Sequence, residues 1–214
     1  MNNLNFEMLF EFFKKNYLYL IFGLILIMSG IASYFFYINS IKEKIYSSQR
    51  AYENFLSELA LFDGLEFTEL ETKLEEVKNV YDQSIYYHLA NFHQAKIYFE
   101  NDQELKAMTL MEQLNTDLEQ DKSSRTFLRD ISRIRLASIY INFDRFEDAK
   151  ELLDRNFDFF DSLKLEKLGD LEKVKFNNEG AKNYYKLAIE ASQNQTQINL
   201  LNFKLSSLAS SNDE

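Results

Sequence analysis

Cysteine, proline and tryptophan are all absent from this 214-residue chain, and glycine occurs only five times. Without cysteine there can be no disulfide framework, thiolate zinc site, iron–sulfur cluster, cysteine nucleophile or lipid-modified cysteine anchor. The absence leaves the compartment open, because an oxidising one permits disulfides without demanding them. Proline costs about 3 kcal/mol and glycine about 1 kcal/mol inside a helix, and sandwiches and barrels lean on both at their turns. A chain so poor in the two is predicted to be all-α. Basic charge is also short: 24 Lys and Arg against 34 Asp and Glu leave a net charge of −10. That balance argues against a nucleic-acid partner, whose phosphates select a basic face.

Apolar length, by contrast, is abundant near the start. Asn16 to Ile41 contains no charged residue, and the stretch Tyr17–Ile38 is almost wholly apolar or aromatic. That is long enough for a bilayer core, which takes about 20 such residues in a helix. Tyr17 and Tyr19 at one end, and Tyr34, Phe35, Phe36 and Tyr37 at the other, put rings where the headgroups lie. The competing reading is a cleaved leader with Lys14 and Lys15 as its basic region and Gly30-Ile31-Ala32 as its cleavage site. The apolar run continues past Ala32 to Ile38, so a retained transmembrane helix over 16–41 is expected, behind a short N-terminal segment, 1–15. Lys14 and Lys15 on the short side face Lys42, Lys44 and Arg50 on the long side, a near balance that sets no orientation. Because the two lysines offset Glu7 and Glu11, the whole negative charge lies in residues 42–214. Such a domain is expected to stay off anionic headgroups.

Apolar spacing and polar breaks predict helices at 41–62, ending at Asp63-Gly64; 66–80, opened by a Thr68-x-x-Glu71 capping box; 83–100; 103–118; 124–142; 146–156; 160–175; 178–192; and 195–209. Helices of this length on short connections suit hairpins, and a repeat is present. Ala95 and Tyr98 are followed by Ala107 and Met111; Ala137 and Tyr140 by Ala149 and Leu153; Gly169 by Ala181 and Tyr185. Small residues at these places let paired helices approach within the usual 8–10 Å. This is the small-residue skeleton of a tetratricopeptide repeat, whose period is about 34 residues. The interval from Ala95 to Ala137 is longer than that period and the interval from Ala137 to Gly169 slightly shorter, so the two bracket it. The longer interval carries a polar insert around Asp117 to Ser124. The expected organisation is connecting and capping helices over 42–82, three degenerate repeats over 83–192, and a capping helix with its tail over 193–214: a short α-solenoid on a membrane stalk.

Catalytic and metal chemistry finds no foothold. His88 and His93, the two histidines, lie about 140° apart around a helix, unlike an i,i+4 metal pair, and each is expected on a partly exposed face. Glu69, Glu71, Glu75 and Glu76 share their helix with Lys73 and Lys78, as a solvated face does. Asp154, Asn156, Asp158 and Asp161 lack the glycine and terminal glutamate of a calcium loop. There is no phosphate loop, G-x-S-x-G or H-E-x-x-H, so the reading is neither an enzyme nor a cofactor protein. The rings of Phe157, Phe159 and Phe160 crowd one helix junction. In a tetratricopeptide hairpin the first helix lines the concave face, and counting from the small residues puts Phe92, Lys96, Phe99, Ile134, Ser138 and Ile141 along it. Exposed, these side chains form a peptide-binding strip; packed, they are core.

The layout of short start, single span, immediate helical run and degenerate repeats resembles the YfgM-type ancillary subunits of the bacterial SecYEG translocon. The stretches that carry the resemblance are LRDISRIRLASIYINFDRFEDAKELLD, LGDLEKVKFNNEGAKNYYKLAIEAS and INLLNFKLSSLAS. It implies a single-pass inner-membrane protein with its N-terminus cytosolic and its repeat domain in the periplasm. The implied partners are the SecYEG translocon, a periplasmic prolyl-isomerase chaperone and unfolded client proteins. A scaffold for envelope assembly, of pili or outer-membrane proteins, is the alternative.

Overall fold

The computed structural model describes residues 3–61, 67–121 and 125–210. Among these residues there are nine helices and no strand. The first, α1 (Asn3–Leu61), is 59 residues long, about 88 Å at 1.5 Å per residue. No proline interrupts it, and its two glycines, Gly23 and Gly30, have open space around them. The expected span and the helix expected from residue 41 are therefore one rod. Helix also covers most of the segment set apart as 1–15. The stretch Phe10–Leu59 meets the length and hydropathy needed to cross a membrane, and its most apolar window is not buried at all.

Eight shorter helices follow: α2 (Phe67–Val80), α3 (Ile85–Glu100), α4 (Glu104–Gln120), α5 (Thr126–Asn142), α6 (Phe146–Asp154), α7 (Asp161–Val174), α8 (Asn178–Ala191) and α9 (Gln195–Ser210). Each of their ends falls within two residues of the sequence expectation. The stop at Asp63-Gly64 and the last part of the polar insert lie outside the described residues. Thr68 lies one residue inside α2 rather than before it, so Thr68 and Glu71 do not form the expected cap. Elsewhere caps are visible: Ser84 accepts from the N–H of Tyr87 at 3.1 Å and Asn177 from that of Gly180 at 3.0 Å.

The helices pair as α1–α2, α3–α4, α5–α6 and α7–α8; successive pairs stack, and α9 closes the stack on α8. The last part of α1 thus pairs with α2 as the helices of the other three pairs do. Tyr52 and Phe55 of α1, Leu74 and Val77 of α2, and Ala90 and Ile97 of α3 share one core. Met111, Leu114, Leu136, Leu153 and Leu171 centre the next, and Ala181, Tyr185, Ala188, Leu201 and Leu208 join α8 to α9.

The turns inside the last three hairpins are copies of one another. Asp102, Asp144 and Phe176 all take left-handed backbone, with φ of 58°, 58° and 60°. The next residue's N–H reaches back to the carbonyl of Tyr98, Tyr140 or Glu172 at 2.8–2.9 Å, the Schellman ending of a helix. These turns recur at the same two intervals as the small-residue skeleton.

Two polar networks hold elements that apolar contact alone would leave loose. Asp130 is wholly buried and accepts from the backbone N–H of Asp158 at 2.8 Å and Phe159 at 3.0 Å, pinning the α6–α7 loop to α5. Arg133 beside it makes a two-pronged bond to Glu119 at 2.7 and 2.8 Å and donates to the carbonyl of Asn156 at 2.7 Å. At the far end Lys204 of α9 reaches Glu166 at 2.7 Å and Asp170 at 2.6 Å on α7, while the Tyr185 hydroxyl donates to Asp170 at 2.8 Å.

Candidate functional site

The small residues named from the sequence lie inside the stack. Ala95, Ala107, Ala137, Ala149, Gly169 and Ala181 are all buried, Tyr140 is buried and Tyr98 half-buried. Gly169 faces a ring: a Cβ there would lie 2.5 Å from Cδ1 and Cε1 of Tyr185. The corresponding pairs in the other hairpins are Ala95 with Met111 and Ala137 with Leu153. Where the opposing side chain grows to tyrosine, the alanine is reduced to glycine. The Tyr140 hydroxyl donates to Glu112 at 2.8 Å, and burial together with that carboxylate pushes its phenol up to about 12.

Between α3 and α5 lies a groove of about 390 Å³. Phe92, Lys96 and Phe99 line it from α3, Met111 underlies it from α4, and Arg135 and Ser138 line it from α5. The Arg135 guanidinium sits 4.8 Å over the Phe92 ring, a cation–π contact. Lys96 pairs with Glu100 at 3.5 Å along the rim. Ser138 donates to the carbonyl of Ile134 at 2.9 Å. Phe92 is buried in the floor, whereas Phe99 is exposed at the wall. Four of the six residues expected on a concave strip, Phe92, Lys96, Phe99 and Ser138, therefore meet in one groove.

Ile134 and Ile141 are buried and do not line it. Carrying the α3 positions forward by one repeat selects the same flank on both helices. A groove between two helices is instead bounded by opposing flanks. On α5 the lining flank is Arg135, Ser138, Ile139 and Asn142, at i, i+3, i+4 and i+7, and the sequence reading missed three of these four. The signal available was Arg135, which with Arg133 is one of two charges between Ile131 and Ile141 and lies at the i, i+3 spacing from Ser138.

The histidines stand apart. His93 packs against Tyr52 and Phe55 at 5.8 and 5.7 Å between centroids. His88 is buried rather than partly exposed, its ring edge-on to Tyr87 at 5.4 Å, because the end of α4 and Arg125 cover the start of α3. Burial, then Arg125, hold His88 below the ordinary imidazole value; burial, then Lys96 and Arg135, do the same for His93. Among the described residues no group of three or more His, Asp or Glu is placed to hold a metal. The acidic residues of α2 pair locally, Glu75 with Lys78 at 2.5 Å and Glu76 with Lys73 at 3.9 Å. Asp158 pairs with Arg129 at 3.0 Å.

Stacked hairpins, copied turns and an inter-helix groove agree with a comparison to protein families, in which residues 11–210 match the tetratricopeptide repeat-like domain. The chain belongs to that family. Tetratricopeptide repeat-like domains are protein interaction modules, and protein partners follow from membership in general terms. No curated protein and no solved structure matches the chain.

Proposed function

We propose that this protein is a membrane-anchored ancillary subunit of the YfgM type, whose repeat domain assists secreted proteins as they leave the SecYEG translocon. The observation that carries the proposal is the continuity of α1. The same helix that is apolar enough to span a bilayer supplies Tyr52 and Phe55 to the first hairpin core. In this reading α1 is a retained inner-membrane anchor, with Lys14 and Lys15 cytosolic and residues 42–214 in the periplasm, where a prolyl-isomerase chaperone and unfolded clients are the further partners. The groove offers an apolar floor under a rim of Lys96, Glu100 and Arg135, suited to brief contact with extended apolar segments. Tethering beside the channel raises the local concentration, so such contacts act without high intrinsic affinity.

Two measurements test this. Purification from detergent-solubilised membranes is expected to bring down translocon subunits; recovery of pilus or outer-membrane assembly proteins instead would favour an envelope scaffold. Protease added to spheroplasts is expected to digest the domain and leave a short membrane fragment. Protection until lysis would put the domain in the cytosol and end the proposal.

A further inference from the structure

Because α1 is unbroken, the position of its apolar run fixes which edge of the hairpin stack lies nearest the bilayer. From Ile38 the axis rises about 9 Å to Lys44 and about 15 Å to Ser48, at 1.5 Å per residue. The α2–α3 loop is level with these two residues. Lys44 Nζ lies 5.8 Å over the Tyr81 ring, and the Ser84 hydroxyl donates to that of Ser48 at 3.2 Å. Arg125, just before α5, joins the same edge, since it donates to the carbonyl of Gln83 at 2.8 Å. Arg129, one turn on, reaches Asp158 in the α6–α7 loop at 3.0 Å. A continuous line of contacts thus runs from the membrane end of α1 to residues 155–160.

Phe159 and Phe160 stand on that edge, 49% and 39% exposed, with ring centroids 6.3 Å apart. Phe160 is held in left-handed backbone, φ 65°, a conformation that crowds any side chain with a Cβ. The bonds from buried Asp130 to the N–H groups of Asp158 and Phe159 hold the loop in place. Charge here is mixed, with Lys44, Arg125, Arg129 and Lys164 against Asp82, Asp121, Asp158 and Asp161. The acidity of the domain as a whole therefore does not describe this edge.

We propose that Phe159 and Phe160 dock on the lipid surface beside the span, giving the domain a second, peripheral contact with the membrane. This rests on α1 being the retained anchor. Exposed phenylalanine rings beside a bilayer gain by burying their apolar area at the headgroup–acyl boundary, and tilts of about 20°, usual for membrane helices, lower a laterally displaced loop toward it. A second contact stops the stack from swinging about α1 and so fixes the direction in which the α3–α5 groove opens. Exposure alone would choose another ring, since Phe176 is 93% exposed. It lies in the α7–α8 turn, at the opposite ends of the helices, and serves as the control.

The chain has no tryptophan, so F159W or F176W introduces a single reporter into the full-length protein. Each variant is reconstituted in phosphatidylcholine vesicles with and without brominated acyl chains, and folding is checked by circular dichroism. F159W is expected to emit further to the blue than F176W and to lose at least half its emission to the brominated lipid, with F176W little changed. F160W gives the same reading should F159W fail to fold. Equal quenching of the two edges, or none at either, overturns the proposal, the latter leaving a protein partner as the cover for these rings. Flotation of the same vesicles separates the premise: a chain that does not float refutes the anchor itself, whereas one that floats without differential quenching refutes only the loop contact.

Discussion

At Gly169 one hydrogen in place of a methyl group decides how closely α7 and α8 approach. A Cβ 2.5 Å from two ring carbons of Tyr185 has nowhere to go, because Tyr185 is itself wholly buried and tied to Asp170. G169A is expected to cost about 1–3 kcal/mol, read as a lowered melting temperature of the detergent-solubilised chain. Combining it with Y185L should recover part of the loss, as positions in direct contact are not additive; a fully additive double variant would deny the packing described. The small-residue skeleton was legible in the sequence because its spacing recurs, but the exchange of alanine for glycine opposite a tyrosine needed the facing helix. The histidines give a second prediction. Both are held below the ordinary value of about 6.5, so they remain neutral in the fold and bind protons more readily once unfolded. The stability they contribute is complete above that value and declines as the pH falls below it. Burial alone would raise Glu119 and Asp170, but Arg133 and Arg155 hold the first down, and Lys167 and Lys204 the second. Their contribution is complete above the unfolded carboxylate values and is lost as the pH falls from there through the lowered ones. Melting temperature should therefore fall from neutral to about pH 5 and again below about pH 4. Replacing both histidines by glutamine should flatten the upper limb alone; a wild-type melt unchanged from neutral to pH 5 would contradict the assignment.

Among the elements, the α6–α7 loop is the least predictable from sequence and the most dependent on one residue. Asp130 sits in the second turn of α5, where sequence reasoning assigned it nothing, yet it satisfies two loop N–H groups and one side of Arg133. D130A should cost about 1–3 kcal/mol by leaving the N–H groups of Asp158 and Phe159 without their acceptor while Arg133 keeps its bond to Glu119, and it should raise amide exchange at residues 156–160. D130N, which keeps an acceptor, should cost less. A melt of D130A indistinguishable from wild type would remove the loop's anchor from the account. The ends of α2 to α9 were legible to within two residues because polar breaks and apolar period coincide. The hairpin turns were not, because aspartate and phenylalanine rather than glycine take the left-handed position at Asp102, Asp144 and Phe176. The groove was half legible: its α3 flank follows from the repeat, while its α5 flank is set by the stacking angle between hairpins.

At the scale of the whole molecule, a single rod joins an apolar run to a stack of four hairpins, with no flexible linker between them. Charge counting left its orientation open, and the acidic average concealed a mixed-charge edge with two exposed rings. The central claim is that the α3–α5 groove meets polypeptides emerging from the secretion channel. The direct measurement places a photoreactive side chain at Phe99, on the groove wall, and in a second strain at Leu187, which is exposed on α8 away from the groove. Both full-length proteins are irradiated in cells exporting a labelled secretory protein. The account predicts crosslinks to that protein in transit from position 99 and none from position 187; equal labelling from the two positions, or none from position 99, would contradict it.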